Sequence, residues 1–189
     1  NVLPKLPRGA VVLSITKGLR GCLDGRLEPF PHYLETLRAD VEFLAVGGPC
    51  ICFELMDRRH TMICFCGKNL NTVKKVRGML ATEYYHIIPT EDVIGVECGV
   101  AMKNAYAMGV SLAVGLAERE KGITDASHIT DNCVPGAPDL NPAYNPQAAL
   151  FAQSCLEMRR LVAKLGGNPD LVGGLPGAGD LYVTVFGGR

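Results

Sequence analysis

The sequence contains no tryptophan, no excess of charge of either sign, and no uninterrupted apolar run of membrane-spanning length. Lys plus Arg and Asp plus Glu both number 19, so no net charge attracts nucleic acid or an anionic membrane. We therefore expect a small-molecule substrate, or a second copy of the chain, as partner. Glu97 and Lys103 interrupt the longest apolar stretch, which predicts no membrane span.

The first residues show no initiator methionine, no signal peptide and no transit-peptide pattern. Without a secretory context, the eight cysteines are expected to be reduced thiols in a cytoplasmic protein. Two C-x-C pairs leave zinc binding as an alternative, but zinc ribbons usually use C-x-x-C. Residues two apart in a strand share a face, so Cys64 and Cys66 are interpreted as core thiols and no metal site is predicted. The four thiols concerned are Cys50, Cys52, Cys64 and Cys66.

Strands and helices alternate in the first half of the sequence, whereas helices alone follow. Short apolar runs at 10–15, 41–46, 61–66 and 85–88 predict strands, and helices are expected from Pro31 to Arg38 and over 68–82. Helices are also expected over 93–118 and 145–165, with Thr90 as the N-cap of the first. The fold class predicted is α/β followed by all-α, with a mostly parallel sheet in residues 1–90 and a helical domain in 91–189. The Pro-rich segment 121–144 is expected to be a surface loop.

Lys103 lies in the middle of the apolar helix, where a charge is costly unless it is paired or used. Gly95, Gly99 and Ala107 recur with it every four residues, so three small side chains share its face of the helix. A lysine in such surroundings favours proton transfer near neutral pH. The structural alternative is a lysine that extends its ammonium to solvent. Glu97, Asn104 and Ser111, seven residues apart, predict a second polar seam.

Polar residues also follow the predicted strands, at the edge of a parallel sheet where ligands bind. Thr16-Lys17-Gly18 offers a hydroxyl and a cation, and the segment 47–50 offers glycine amides. Ordinary turns explain both segments equally well. Near the other end, Asp180 and Thr184 share one helical face. Arg189 follows two glycines, where its guanidinium suits phosphate recognition. A helix that ends in a glycine C-cap explains these glycines equally well.

Four colinear motifs together resemble the NAD(P)-dependent glycerol-3-phosphate dehydrogenase family. They are SITKGL at 14–19, GPCICFEL at 48–55, VECGVAMKN at 96–104 and GAGDLYVTVFGGR at 177–189. The resemblance implies the second half of a Rossmann-like dinucleotide-binding domain, with an incomplete parallel sheet, followed by a helical substrate domain. It also implies a homodimer, NAD or NADP as cofactor, and a place in glycerophospholipid metabolism through exchange between sn-glycerol 3-phosphate and dihydroxyacetone phosphate.

The resemblance assigns roles to particular residues. Lys103 is the implied general acid and base, assisted by Lys17 and Asp180. The implied substrate contacts are Gly48, Cys50, Asn104, Thr184, Gly188 and Arg189, and the implied cofactor contacts are Lys17, Cys52 and Arg189. The family's G-x-G-x-x-G phosphate loop has no counterpart in this sequence. A catalytically impaired or truncated member that binds a phosphorylated metabolite, or serves in dimerisation, is therefore the alternative.

Overall fold

The computed structural model describes residues 2–122 and 143–187, and the predicted fold class is confirmed. Strands occupy the first half and helices dominate the second. The strands are β1 (Val11–Ser14), β2 (Leu19–Gly21), β3 (Leu27–Pro29), β4 (Glu42–Gly47), β5 (Thr61–Cys66) and β6 (Tyr85–Thr90). The α-helices are α1 (Phe30–Leu37), α2 (Cys52–Met56), α3 (Leu70–Leu80), α4 (Val93–Glu120), α5 (Tyr144–Leu165) and α6 (Asp180–Phe186). A 3-10 turn (Pro169–Gly173) and a π-turn (Leu175–Gly179) lie between α5 and α6.

The main sheet has the order β1-β4-β5-β6 and is mixed rather than wholly parallel. The pairs β1–β4 and β5–β6 are parallel, whereas β4 and β5 are antiparallel, with Ala45 opposite Cys66. A parallel connection needs a crossover long enough to span the sheet. Helix α2, which lies between β4 and β5, has only five residues. Strand β5 therefore runs alongside β4 in the opposite direction, without a parallel crossover.

A separate antiparallel hairpin, β2–β3, was not predicted from the sequence. Its strands have three residues each, too few to display an alternating pattern. Arg20 lies opposite Glu28 in the register, and its Nη1 is 3.2 Å from Glu28 Oε2. The guanidinium of Arg20 also lies 3.9 Å from the centre of the Tyr33 ring, which links the hairpin to α1.

The expectation that Thr90 caps α4 is wrong, because β6 continues through Thr90 and Asp92 is the N-cap. Asp92 Oδ1 accepts a hydrogen bond from the Gly95 amide at 2.8 Å. Its Oδ2 accepts one from the Asn168 amide at 2.7 Å, beyond the end of α5. One carboxylate thus caps α4 and ties its first turn to the turn that follows α5.

Helix α4 contributes to the apolar clusters on both of its sides. Toward the sheet, Val93 and Val96 pack with Ala45, Cys64 and Cys66. Toward the other helices, its buried residues pack with residues of α5 and α6, namely Cys98 and Ala107 with Met158, Val162 and Leu181. The first half of α4 is therefore the common element of the two parts of the fold.

The thiols of Cys64 and Cys66 are buried core groups, as the favoured interpretation predicted. Burial raises the pKa of Cys64 to about 11 and that of Cys66 further. Within residues 2–122 and 143–187, no three His, Cys, Asp or Glu side chains lie close enough together to hold a metal ion.

By length and composition alone, α4 also passes as a helix that could cross a membrane. This is weak evidence, since core helices of soluble proteins meet the same criterion. The first half of α4 carries the buried, charge-bearing side chains of Glu97 and Lys103.

The close approach of α4 to Pro176 leads to a first prediction. A Cβ at Gly99 would lie 2.5 Å from the carbonyl oxygen of Pro176, too close for ordinary packing. Gly99→Ala should therefore lower the free energy of unfolding by about 1–3 kcal/mol, measured by urea denaturation. The matched control is Gly109→Ala on the same helix, where the added methyl group meets no described atom within 4 Å apart from its chain neighbours and the adjoining backbone of its own helix. It should raise stability by up to about 1 kcal/mol. Equal shifts in the two variants would contradict the close contact.

Candidate functional site

The predicted site residues Lys17, Lys103 and Asp180 lie together beyond the carboxyl ends of β1 and β4. Lys103 Nζ donates a hydrogen bond to Asp180 Oδ1, and both side chains are only 2% exposed. Lys17 Nζ lies 3.6 Å from Asp180 Oδ2, close enough for an ion pair but long for a hydrogen bond. The Lys17 side chain is 37% exposed. We call these three side chains the charge cluster, in which Lys17 is the accessible member.

The local backbone explains why Asp180 reaches Lys103 across 77 positions of sequence. The π-turn Leu175–Gly179 runs directly against α4 at Gly99, one helical turn before Lys103, and α6 begins immediately afterwards with Asp180. Leu181, the next residue, is fully buried in the cluster between α4, α5 and α6. Packing of the neighbouring residue thus fixes the direction of the carboxylate.

Burial is the main cause that lowers the pKa of Lys103, to about 8. The hydrogen bond that Lys103 donates to Asp180 opposes this shift, whereas the ammonium of Lys17 lowers the pKa further. The alternative of a lysine that extends to solvent is contradicted by the burial of its side chain. Lys103 can therefore hold or release a proton near neutral pH.

Glu97 does not belong to the polar seam that the sequence predicted. It is completely buried, whereas Asn104 and Ser111 are exposed, because only the first half of α4 is covered by the sheet. Neither oxygen of its carboxyl group has a hydrogen-bond partner among the described residues. Burial raises the pKa of Glu97 to about 7, and the charge of Lys17 partly opposes this shift. The signal available in the sequence was a glutamate within an apolar run.

The remaining predicted substrate residues occupy different surroundings. Gly48 is buried at φ +129°, and a Cβ there would lie 3.1 Å from Ile63 Cα, so the position requires glycine. Cys50 is half-buried and packs against the apolar cluster that contains Ile63. The Thr184 hydroxyl donates to the Asp180 carbonyl oxygen at 2.6 Å, which places it one turn from the charge cluster.

The predicted cofactor residues Lys17 and Cys52 are both accessible to solvent, Cys52 at the first position of α2. A Cβ on Gly179 would lie 3.5 Å from Pro49, so the start of α6 lies beside the loop after β4. This contact places the loop after β4, which contains Gly48 and Cys50, next to the start of α6, which contains Asp180. The predicted residues Gly188 and Arg189 lie outside the described residues.

Comparisons with known proteins agree with the fold and with the resemblance that the sequence motifs indicated. Residues 92–189 match the family model described as "NAD-dependent glycerol-3-phosphate dehydrogenase C-terminus". The chain is 31% identical to the chloroplastic NAD(+) glycerol-3-phosphate dehydrogenase of Oryza sativa over 187 residues, which is 98% of this chain and 36% of the relative. It is 30% identical to the NAD(P)+ enzyme of Syntrophobacter fumaroxidans over 98% of this chain and 48% of the relative. The chain thus spans between about a third and a half of these relatives.

Solved structures share the fold at lower sequence identity. Glycerol-3-phosphate dehydrogenase from Coxiella burnetii superposes with a TM-score of 0.71 at 24% identity, covering 97% of this chain and 48% of that one. The DsGPDH structure from Dunaliella salina gives a TM-score of 0.75 at 19% identity, covering 100% of this chain and 28% of that one.

The buried carboxyl of Glu97 gives a second prediction, on the pH dependence of stability. Because its pKa rises from 4.5 to about 7 on folding, the folded state retains a proton that the unfolded state releases. Stability should therefore fall as pH rises through this window, by up to about 3 kcal/mol, and the loss should be complete above about pH 7. Glu97→Gln has no such proton to lose, so its stability relative to the unsubstituted protein should increase over the same window. Chemical denaturation at a series of pH values measures this difference.

The control for that experiment is Glu120→Gln, which removes a carboxyl at the exposed end of the same helix. A Glu97→Gln profile that runs parallel to the unsubstituted protein from about pH 4.5 to pH 8 would contradict the burial of an uncompensated carboxyl.

Proposed function

The chain belongs to the NAD-dependent glycerol-3-phosphate dehydrogenase family. We propose that it carries the proton-transfer residues of an enzyme that interconverts sn-glycerol 3-phosphate and dihydroxyacetone phosphate. The observation that carries the proposal is the buried Lys103, hydrogen-bonded to Asp180 and with a pKa lowered to about 8. Lys17 adds an accessible cation 3.6 Å from the same carboxylate. The proposed substrate is an anion. Lys17 offers it a solvent-accessible cation, and the buried Lys103 offers an acid-base group next to the same carboxylate.

In the oxidation direction, neutral Lys103 takes the proton of the C2 hydroxyl on its Nζ lone pair as the C2 carbonyl forms. In the reduction direction, the Lys103 ammonium returns that proton to the C2 oxygen. The bound nicotinamide cofactor supplies or accepts the hydride at C2. Asp180 holds the Lys103 ammonium in place, and Lys17 stabilises negative charge that develops on the C2 oxygen.

The other substrate contacts remain predictions that rest on the resemblance. Thr184 lies one turn beyond Asp180, and its oxygen retains the capacity to accept a hydrogen bond. Gly48 and Cys50 lie in the loop after β4, and Asn104 follows Lys103 on α4. Gly188 and Arg189 are proposed to bind the phosphate group.

Two of the predicted cofactor residues and a glycine lie where a nicotinamide cofactor could approach the sheet. Lys17 and Cys52 are accessible at the carboxyl edge of the sheet, and Gly48 leaves the backbone there without a side chain. We therefore propose Lys17 and Cys52, together with Arg189, as cofactor contacts, with NAD and NADP both open.

Several broader features belong to the same proposal. Residues 1–90 and 91–189 are proposed as the nucleotide-binding and substrate domains, and the assembly as a homodimer that takes part in glycerophospholipid metabolism. A cytoplasmic location is proposed because buried thiols such as Cys64 and Cys66 are typical of a protein in a reducing compartment. The Oryza sativa relative is named as chloroplastic, so fractionation of cells is the measurement that assigns the compartment.

Substitution of Lys103 tests the proton-transfer role. In the purified protein, reduction of dihydroxyacetone phosphate by NADH or NADPH should fall by about 10²–10⁴-fold in Lys103→Met. Lys103→Arg keeps a cation for Asp180 but does not release a proton near neutral pH, so it should be similarly slow. Lys74→Met, on the exposed side of α3, is the control for loss of a lysine. Circular dichroism and thermal unfolding establish that the variants fold.

The outcomes separate the proposal from its alternative. Oxidation of neither cofactor by the unsubstituted protein would overturn the enzymatic proposal. Calorimetric binding of glycerol 3-phosphate in that case would favour a phosphometabolite-binding module. Full turnover in a folded Lys103→Met variant would show that the reaction does not require Lys103.

The lowered pKa of Lys103 also predicts opposite pH profiles for the two directions. Reduction needs the ammonium form, so its rate should decline above about pH 8. Oxidation needs the neutral amine, so its rate should rise up to about pH 8 and then level off. Steady-state rates in both directions over a pH series check this, and parallel profiles would contradict the assignment.

A further inference from the structure

A cavity of about 750 Å³ that the proposed reaction does not use lies between the β2–β3 hairpin and α5. Lys17, Lys103 and Asp180, the three members of the charge cluster, do not line it. Its walls come from the hairpin and α1 on one side and from α4 and α5 on the other, so both parts of the chain contribute. The volume is within the range of about 300–1,000 Å³ that is typical of small-molecule sites, which often lie between two such parts.

Hydrogen bonds fix the wall that the hairpin provides. The Cys22 amide donates to the Arg26 carbonyl oxygen at 2.8 Å, and the Gly25 amide donates to the Cys22 carbonyl oxygen at 3.0 Å. Gly25 has φ +82°, in the left-handed region that glycine adopts without strain. Because this turn is held by its own backbone, a ligand does not have to order it, which lowers the cost of binding.

The opposite wall of the cavity is apolar. Ile94 on α4 and Leu161 and Leu165 on α5 line it, and all three are only partly buried. Leu27 of β3 lines the cavity from the hairpin side and is 43% exposed. The apolar body of a ligand would remove these side chains from water, which is favourable.

The charges in the lining leave one ammonium group without a counterion. Arg20 is paired with Glu28, and Arg26 Nε lies 2.6 Å from Asp24 Oδ2. Lys164, in the last turn of α5, takes part in no ion pair with another described residue. Its position near the carboxyl end of a helix is favourable by itself, but its charge remains available to an anion.

His32 on α1 adds a ring that can form hydrogen bonds to the lining. Burial lowers the pKa of His32 and the charge of Lys68 lowers it further, whereas Glu35 and Glu28 oppose the shift. The ring is therefore mostly neutral near pH 7, and it offers one donor and one acceptor instead of a second free charge.

We propose that this cavity binds an organic anion with one negative charge and an apolar body. The apolar body covers Leu27, Leu161 and Leu165, and the anionic group pairs with the Lys164 ammonium. The two arginines keep their carboxylate partners and hold the hairpin in place. The site takes no part in the reaction proposed above, so the inference does not depend on that function.

The charge requirement is tested with anilinonaphthalene sulfonate, an aromatic monoanion whose fluorescence rises in apolar surroundings, and with its uncharged analogue phenylnaphthylamine. The sulfonate should bind the purified protein saturably. Lys164→Met should weaken its binding about 2- to 5-fold and leave binding of the uncharged analogue unchanged. Lys74→Met, on the exposed side of α3, is the matched control and should alter neither. Absence of saturable binding, or equal effects of Lys164→Met on both compounds, would overturn the proposal.

Two substitutions on the hairpin test the location. Leu27→Asp places a carboxylate on the cavity wall, so it should weaken binding of the sulfonate at least about 10-fold. Leu23→Asp makes the same change at a fully exposed side chain of the same hairpin that does not line the cavity, and it should leave the affinity unchanged. Circular dichroism checks that both variants fold. Equal affinities in the two variants would place the compound elsewhere and overturn the proposal.

The Cys22 thiol provides a second measurement of location, because it lines the cavity. At a sulfonate concentration of about ten times the Kd, only about a tenth of the protein is free, so alkylation of Cys22 by iodoacetamide should slow about 10-fold. Cys52 is exposed on α2 and outside the lining, and its alkylation should keep its rate. Mass spectrometry of the peptides measures both rates in one sample. Unchanged alkylation of Cys22 under these conditions would overturn the proposal.

Discussion

The buried contact between Lys103 and Asp180 is the interaction on which the rest of the structure depends. Two fully buried ionisable groups are tolerated only when each supplies the other with a partner, and removal of one typically costs about 3–5 kcal/mol. The contact requires the start of α6 to lie against the first half of α4. Gly99 makes that approach possible, because any side chain there would collide with the Pro176 carbonyl group.

This contact leaves two buried charged groups beside a partly exposed lysine. Lys103, Asp180 and Glu97 are buried, whereas Lys17 is partly exposed and its Nζ lies 3.6 Å from Asp180 Oδ2. Burial shifts the pKa values of Lys103 and Glu97 toward neutrality from opposite directions. The proton exchange and the attraction for an anion that we propose both rest on this one cluster, in which Lys17 is the accessible cation.

Much of the fold was readable from periodicity, and the errors have physical causes. The four strands of the main sheet and the helices α1, α3, α4 and α5 follow from apolar runs and helical spacing. The β2–β3 hairpin was missed because three-residue strands carry no pattern, and its Arg20–Glu28 pair is a contact across a turn. The antiparallel β4–β5 pair depends on how short α2 is, and the cap of α4 depends on where β6 ends.

The sequence by itself determined the order of the four main strands and the longer helices, the unusual positions of Lys103 and Glu97, and the motifs that place the chain in its family. These are local properties, since a charge in an apolar run is anomalous whatever surrounds it. Only the tertiary structure decided that Asp180 is buried against Lys103 and that Lys17 lies beside the same carboxylate. Spacing along one helix also failed to separate buried Glu97 from exposed Asn104, because burial depends on the sheet that covers only the first half of α4.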